Sequence, residues 1–554
     1  MATTRLSASP RPSAPGCGAR PASDDGRDGV LAEPGGNPGR TRAVGAAAVR
    51  LLTWCTWAVA VLPRTGRPLG FSHDGRNAGV FSLMARGIDQ LGWAGSRWGS
   101  ELAHGLGSYA HHPPLLVWLV SLSERVGGTH PFWTRLPTVV ASAIAIVLLQ
   151  RICRRLTDDP LAAAVGCCVA VTAPMFLLYG WMLDTPMLAL PAALVLADRW
   201  LALEDGEPVR PATWAVGAFV AGIAGWLGMA WAGVLGLSAV WRGGRPGDGA
   251  HGRRANRAPE GLRRESRVAG SWVLVGTAAS FVMTIAWVAA SRPGLTELFA
   301  QAALRSGDDG GGVGVLEALH AQVRYVADVW FPVPFVMAVV CLRAGRPGGR
   351  AGRVVLLLAG TTGLYALVFW NAATNHAYWL LWLVAPLAAV VATGLTRWSE
   401  RRPPTVSTPA LVAVAVVAAV SGPLWPGSSR HQLEDGVADG RLVARSALAP
   451  SQDRVLAAGV GDPVSWMSYA TGVHVESLEW SGLAETAASH PGWHVVVPRE
   501  LMDAACRSGR APTAGPVDAG SSLVVVRATD AVRWLRPQGA ASGTGSRPGS
   551  SSCR

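Results

Sequence analysis

Four short polar clusters in an otherwise apolar chain carry the side chains that could do chemistry. They are Phe71-Ser72-His73-Asp74-Gly75-Arg76-Asn77, Tyr109-Ala110-His111-His112-Pro113-Pro114, Tyr179-Gly180-Trp181-Met182-Leu183-Asp184-Thr185-Pro186 and Asn375-His376-Ala377-Tyr378-Trp379-Leu380. Asp74 and Asp184 are carboxylates that could take a proton from a hydroxyl, or share a divalent cation. His111 and His112 stand before two prolines that fix an extended turn and the start of a helix; free helix N–H groups beside two imidazoles suit a phosphate. His376 sits where it could reach a head group. Each cluster also has a plain structural reading. Asp74 can cap a helix beginning near Asn77, Asp184 is a good N-cap before Thr185-Pro186, and Tyr378 and Trp379 fit an interfacial aromatic belt. A fifth string, Asp308-Asp309-Gly310-Gly311-Gly312, has the look of a metal motif but reads better as a hinge that lets its loop close over a substrate.

The elements that must position these clusters are membrane spans. The chain has 554 residues, of which 50% are hydrophobic and 15% charged, against about 25% charged in ordinary soluble domains. Mean hydropathy is +0.27. The net charge of +13 comes entirely from arginine, since the chain has no lysine. Phosphate loops that need lysine and Schiff-base chemistry are therefore excluded. The arginines lie in short runs between long apolar segments rather than on one soluble face, which argues against nucleic acid and for positive-inside loops. Eight cysteines form no Cys-x-x-Cys pair, so a zinc ribbon has no support. Cys167 and Cys168 read as packing residues.

Helical spans need about 20 apolar residues. That criterion gives about eleven, at 43–63, 135–152, 160–180, 185–203, 212–227, 228–242, 270–290, 329–343, 353–371, 377–395 and 407–425. The pair at 212–242 is the weakest, because Gly225 and Gly228 sit at the proposed break. With the N-terminus inside, the arginine runs at 151–159, 243–269, 343–353 and 396–406 all fall on the inner side. The outer side then holds loops 64–134 and 291–328 and everything after 425. Segment 114–126 is apolar but covers only about 20 Å as a helix. It reads as a re-entrant or interfacial helix with Trp118 at headgroup level.

Residues 1–42, rich in Pro, Gly, Ala and Arg, read as a disordered cytoplasmic tail, and 537–554 as a second disordered tail. Residues 426–536 alternate β-rich runs (455–460, 494–497, 522–527) with a helical stretch near 463–469, which suggests a small outer α/β domain. Its Cys506 could pair with Cys553. No internal repeat is evident. The expected fold is thus mainly α: a polytopic bundle at 43–425, N-in and C-out, with a small C-terminal α/β domain.

In order and topology the motifs resemble the polytopic GT-C glycosyltransferases of the protein mannosyltransferase and aminoarabinose transferase superfamily, glycosyltransferase family 39 and relatives. One span is followed by an acidic outer motif, then His-Pro-Pro-Leu at 112–115, Arg135-Leu136-Pro137, Leu183-Asp184-Thr185-Pro186, and a late His-x-Tyr-Trp-Leu run. The resemblance covers about residues 44–400. It implies a sugar donor on a polyprenyl phosphate, and transfer on the outer face of the cell membrane to a glycan, lipid or protein acceptor. It further implies catalytic carboxylates at Asp74 and Asp184, a phosphate-side position at His112, and inversion of the anomeric centre by single displacement. On that reading Asp74 is the general base. Asp184 orients the acceptor, or holds a divalent cation together with Asp74. His111, His112, Arg76 and Arg135 face the donor phosphate, and Tyr109, His376 and Tyr378 touch substrate. The chain departs from the family at Gly75, often Glu, and at His112, often Lys. A lysine common in the middle spans has no counterpart near Gly225–Gly236. Two other readings stay open: a transporter or flippase for lipid-linked sugars, and a membrane anchor that presents its outer domain in envelope assembly.

Overall fold

A backbone in hydrocarbon must satisfy every N–H and C=O within its own segment, and the apolar runs accordingly become helices. The computed structural model describes residues 38–69, 73–103, 106–208, 210–244, 260–307, 313–345, 347–424, 455–458, 475–507, 518–519 and 523–535. The hinge string 308–312, the helical stretch near 463–469, the tail 537–554 and most of the N-terminal tail lie outside them.

The helices are α1 (Pro38–Thr65), α2 (His73–Gly95), α3 (Leu115–Gly127), α4 (Pro131–Leu156), α5 (Pro160–Val171), α6 (Pro174–Tyr179), α7 (Thr185–Glu204), α8 (Pro211–Ala224), α9 (Trp226–Gly244), α10 (Glu260–Ala290), α11 (Gly294–Ser306), α12 (Val315–Trp330), α13 (Val333–Ala344), α14 (Gly349–Val368) and α15 (Trp370–Asn375). A 3-10 turn (Ala377–Leu383) leads into α16 (Val384–Glu400), and α17 (Pro404–Leu424) follows. Helix α1 starts five residues inside the expected disordered tail, at Pro38, a residue suited to a first turn.

Among the described residues, seven helices are long and apolar enough to cross a membrane, or eight if the pair α12–α13, bent by 101°, is one span. The expected count was eleven. Three of the expected segments, 160–180, 212–227 and 228–242, are not among the candidate spans; Pro and Gly break the first two, while the third lies in the unbroken 19-residue α9, rich in Trp and with Arg242 in its last turn. Pro174 begins a new helix after Val171, so the first segment is split into 12 and 6 residues. Gly225, with φ 178° and ψ 151°, ends α8 after 14 residues, about 21 Å of helix against a hydrocarbon core of about 30 Å. Segment 114–126 forms the expected short helix, α3, of 13 residues. Leu116, Val117 and Val120 are buried on its inner face, while Leu122 and Val126 stay exposed.

The bundle has two chemically different ends. At one end arginines meet acids. Arg42 pairs with Asp159 at 2.8 Å, Arg151 and Arg155 with Asp198 at 2.8 Å each, and Arg353 with Glu204 at 2.6 Å; Arg350 also pairs with Asp205. Arginines of the stretches 151–159 and 343–353 therefore gather at this end. The other end, about 39 Å away along the 26 residues of α4, holds the polar clusters. Between the two ends the core is closed by Trp181, Trp214, Trp231 and Trp382. The indole N–H of Trp231 donates to the Ala193 carbonyl at 3.2 Å, and that of Trp382 to Pro186 at 3.0 Å.

After α17 come β1 (Val455–Ala458), β2 (Val475–Leu478), α18 (Trp480–Ser489), β3 (His494–Pro498), α19 (Arg499–Arg507), β4 (Asp518–Ala519), β5 (Leu523–Arg527) and α20 (Ala528–Leu535). The sheet order is β2-β1-β3-β5-β4. Strands β2, β1 and β3 are parallel, and β5 and β4 are antiparallel additions. Continuous burial of Val495–Val497 and Leu523–Val526 reflects helices packed against the sheet. Cys506 is disulfide-bonded; its expected partner, Cys553, lies outside the described residues.

Candidate active site

The polar clusters converge because successive helices begin or end at the same level of the bundle. The first turn of α2 brings His73, Asp74 and Asn77. The N-cap of α7 brings Asp184. The turn before α3 brings Tyr109, His111 and His112, and the break between α15 and the 3-10 turn brings His376 and Tyr378. Two adjoining cavities, of about 300 and 50 Å³, share His112, Asp184, Arg305, His376 and Tyr378 as lining. The larger also meets His73, Asn77, Tyr109 and His111.

The two aspartates have different surroundings. Asp184 faces both cavities. One carboxylate oxygen caps α7, accepting from the Thr185 N–H at 2.6 Å and the Thr185 hydroxyl at 3.3 Å. The other accepts from Asn77 Nδ2 at 3.1 Å, with His73 Nε2 at 3.9 Å. Asp74 is 1% exposed and lines neither cavity. Its Oδ2 accepts from Arg135 Nε at 3.2 Å and Nη2 at 2.5 Å, and its Oδ1 lies 3.4 Å from the Leu183 N–H. Arg135 is equally buried. It donates further to the Thr65 and Arg67 carbonyls at 2.9 and 2.5 Å and lies 5.2 Å over the Trp181 ring. The pair ties the end of α1, the start of α2 and α4 to the loop that presents Asp184. Breaking one partner of a buried pair strands the other charge, at a typical cost of about 3–5 kcal/mol. Asp74→Asn and Arg135→Ala are therefore expected to lose most of their folded yield and to melt well below the wild type when followed by size-exclusion after heating in detergent. An unchanged melting profile would contradict that assignment.

Arg76 is half-buried on α2 and lines neither cavity. The arginine that does is Arg305, which the motif reading did not single out. It comes from the last turn of α11, and its Nη2 is 3.4 Å from His112 Nε2. No carboxylate among the described residues pairs with it. Glu297, two turns earlier on α11, lies 3.7 Å from His111 Nδ1 and accepts from Gln301 at 3.0 Å.

The rings lining the cavities form two groups. Tyr109 is 4.1 Å from His111 and 5.9 Å from His112; His73 is 4.8 Å from His376 and 5.4 Å from Tyr378; and His376 is 5.0 Å from Tyr378, stacked. Trp226 steadies the turn by donating to the His111 carbonyl at 2.9 Å. Burial, reinforced by Arg305, pushes the imidazoles of His111 and His376 down to about 3, and His73 adds to the effect at His376. His112 is pushed well below its ordinary value by burial and then by His111, Arg305 and His376. His111, His112 and His376 are neutral at pH 7, and Arg305 is the fixed positive charge lining the cavities. Their protonation is linked to stability. Above the unfolded value of 6.5 neither state is charged. As pH falls below it, the unfolded chain takes up protons that the folded one refuses. Stability is then lost at about 1.4 kcal/mol per pH unit for each such histidine. Thermal midpoints should accordingly fall steeply from pH 6.5 to 4.5, and less so in His111→Gln; a flat profile would refute the neutral, buried state.

The residues do not make a ready cation site. Asp74 is already occupied by a guanidinium, and no group of three or more His, Cys, Asp or Glu side chains among the described residues is placed to hold a metal.

Comparison with known proteins follows the same lines. A family model described as dolichyl-phosphate-mannose-protein mannosyltransferase matches residues 111–240, a segment that holds His111, His112 and Asp184. The fold matches that of ArnT from Cupriavidus metallidurans bound to undecaprenyl phosphate, with a TM-score of 0.57 at 14% identity, covering 88% of this chain and 98% of that one. It also matches the apo state of ArnT, with a TM-score of 0.54 at 14% identity, over 90% and 100% of the two chains. A search of curated proteins finds no match to the sequence. The resemblance to GT-C polytopic membrane glycosyltransferases drawn from the motifs is borne out.

Proposed function

We propose that this chain, a multi-pass membrane protein with the fold of ArnT, transfers a sugar from a polyprenyl-phosphate donor to a hydroxyl acceptor on the extracytoplasmic face of the cell membrane. The observation that carries the reading is a pair of adjoining cavities that share one arginine without a carboxylate partner among the described residues, one carboxylate, and lining aromatic and imidazole rings. Arg305 takes the donor phosphate by a charge-assisted, two-pronged contact, with His112 beside it. Asp184 takes the role of base, because it faces the cavity while Asp74 is committed to Arg135. His73, Asn77 and Thr185 hold the Asp184 carboxylate in place. Tyr109, His376 and Tyr378 offer ring faces to the sugar. Undecaprenyl phosphate in the ArnT structure supports a lipid carrier of this kind.

The step balances without further reactants. The acceptor oxygen attacks the anomeric carbon and its proton passes to Asp184. The bond from that carbon to the phosphate oxygen breaks, and the electron pair leaves on polyprenyl phosphate, where Arg305 offsets the charge. One displacement inverts the anomeric centre. The arginine-lined end of the bundle supports an orientation with that end inside, since positive loops stay inside. The cavity end and the C-terminal α/β unit then face out.

The test is release of polyprenyl phosphate from a panel of radiolabelled polyprenyl-phosphate sugars in membranes containing the protein, with label appearing on an acceptor. Movement of intact donor between leaflets without release would replace this reading by that of a flippase.

A further inference from the structure

Arg305 is delivered by an element with little buried surface of its own. No residue of α11 is fully buried, and its apolar hold on the bundle core is the partly buried Leu298, so hydrophobic burial fixes its position only loosely. Its side chains reach the rest of the site through two polar contacts, Glu297 to His111 and Arg305 to His112. Its C-terminus, in contrast, is gripped. Asn371, on α15, donates from Nδ2 to the Leu304 carbonyl at 2.6 Å and accepts at Oδ1 from the Val313 N–H at 3.3 Å. One amide thus bonds the backbone residue next to Arg305 and the residue just ahead of α12. The end of α11 is further defined by Gly307, which is left-handed at φ 80°. A side chain there would be strained, and its Cβ would come within 2.7 Å of the Trp370 ring. The base of the grip is itself anchored, since Tyr325 of α12 donates to the Thr374 carbonyl at 2.6 Å and Gln322 to Ala373 at 2.5 Å.

We infer that Asn371 is a positioning residue for the phosphate contact: its two-sided amide sets the C-terminal turn of α11 and hence the reach of Arg305 into the cavity. This rests on the reading of the cavity as a phosphate site. A neutral hydrogen bond of this kind is worth on the order of 1 kcal/mol net, so freeing the turn should weaken phosphate binding about three- to tenfold. Asparagine suits the place because it alone carries a donor and an acceptor on one short planar group. Aspartate keeps the acceptor for Val313 but would repel the Leu304 carbonyl.

The experiment is a double-mutant cycle on the full-length protein in lipid nanodiscs, with undecaprenyl phosphate as the probe. The variants are Arg305→Ala, Asn371→Ala, Asn371→Asp and the two Asn371 changes combined with Arg305→Ala. Thermal midpoints are measured alongside, so that loss of fold is seen separately. The expected result is that either Asn371 change weakens binding three- to tenfold with the midpoint unchanged, and that neither weakens it further once Arg305 is alanine. Coupling of this sort is not expected of a residue that only stabilises the loop. Unchanged affinity in both single Asn371 variants, or losses that simply add to that of Arg305→Ala, would overturn the positioning role while leaving the phosphate site standing. Unchanged affinity in Arg305→Ala would overturn the phosphate site, and the positioning role with it.

Discussion

Asp184→Asn is expected to slow sugar transfer by about 10²–10⁴-fold, the range typical of removing a general base, with little change in donor affinity. The substitution keeps the size of the side chain and an oxygen able to cap α7. That oxygen can still accept from the Thr185 N–H, now 2.6 Å away, so the turn that presents the residue should survive. What is lost is the ability to take the acceptor proton. The measurement is initial rate against donor concentration in reconstituted membranes. The effect should fall on kcat, since the proton moves only in the transition state. A variant that kept the wild-type kcat would remove Asp184 from the chemistry. A variant with raised donor KM and normal kcat would make it a binding residue.

Arg305→Ala is the second large effect, and it should fall elsewhere. Hydrogen bonds to charged groups contribute about 1.5–3 kcal/mol, so donor affinity should weaken by about 10–150-fold. His112 cannot compensate, because burial and its neighbours hold it well below its ordinary value and it is neutral. Arg305→Lys keeps the charge without the planar fork and should recover only part of the loss. Donor affinity measured for the three proteins decides the matter. Equal affinities would mean that the phosphate sits away from α11.

The contrast between these two residues shows how far the sequence could be read. Asp184, His111, His112, Tyr109, His376 and Tyr378 were legible because each lies in a polar cluster at the boundary of an apolar run. Boundaries of antiparallel helices on one side of a membrane meet at one level. Arg305 was not legible in that way. It closes a 13-residue helix in the loop expected at 291–328, next to Asp308-Asp309, and the string beside it drew attention to a hinge. His73 and Asn77 were in view within the first motif, but only their approaches to Asp184, at 3.9 and 3.1 Å, give them a role. Pairing of Asp74 with Arg135, 61 residues apart, was beyond any local pattern. Both residues were marked as important, and burial decides in what way. The structure has fewer candidate spans than expected where a proline or a glycine breaks an apolar run, at 160–180 and 212–227, because hydropathy sums side chains and does not register a broken backbone. In the C-terminal part the runs of Val and Leu marked three strands, while β2 and the two-residue β4 were too short and mixed to stand out.

The central claim is that the cavity between Asp184 and Arg305 binds a lipid-linked sugar by its phosphate. Its most direct test is a structure of the protein in lipid nanodiscs with a non-hydrolysable polyprenyl-phosphate sugar. The account predicts phosphate density within hydrogen-bond distance of Arg305 and beside His112, with the anomeric carbon turned toward the Asp184 carboxylate. Density at the opposite end, in the cavity of about 670 Å³ lined by Arg42, Arg350 and Arg397, or spread along a route between the two ends, would contradict it.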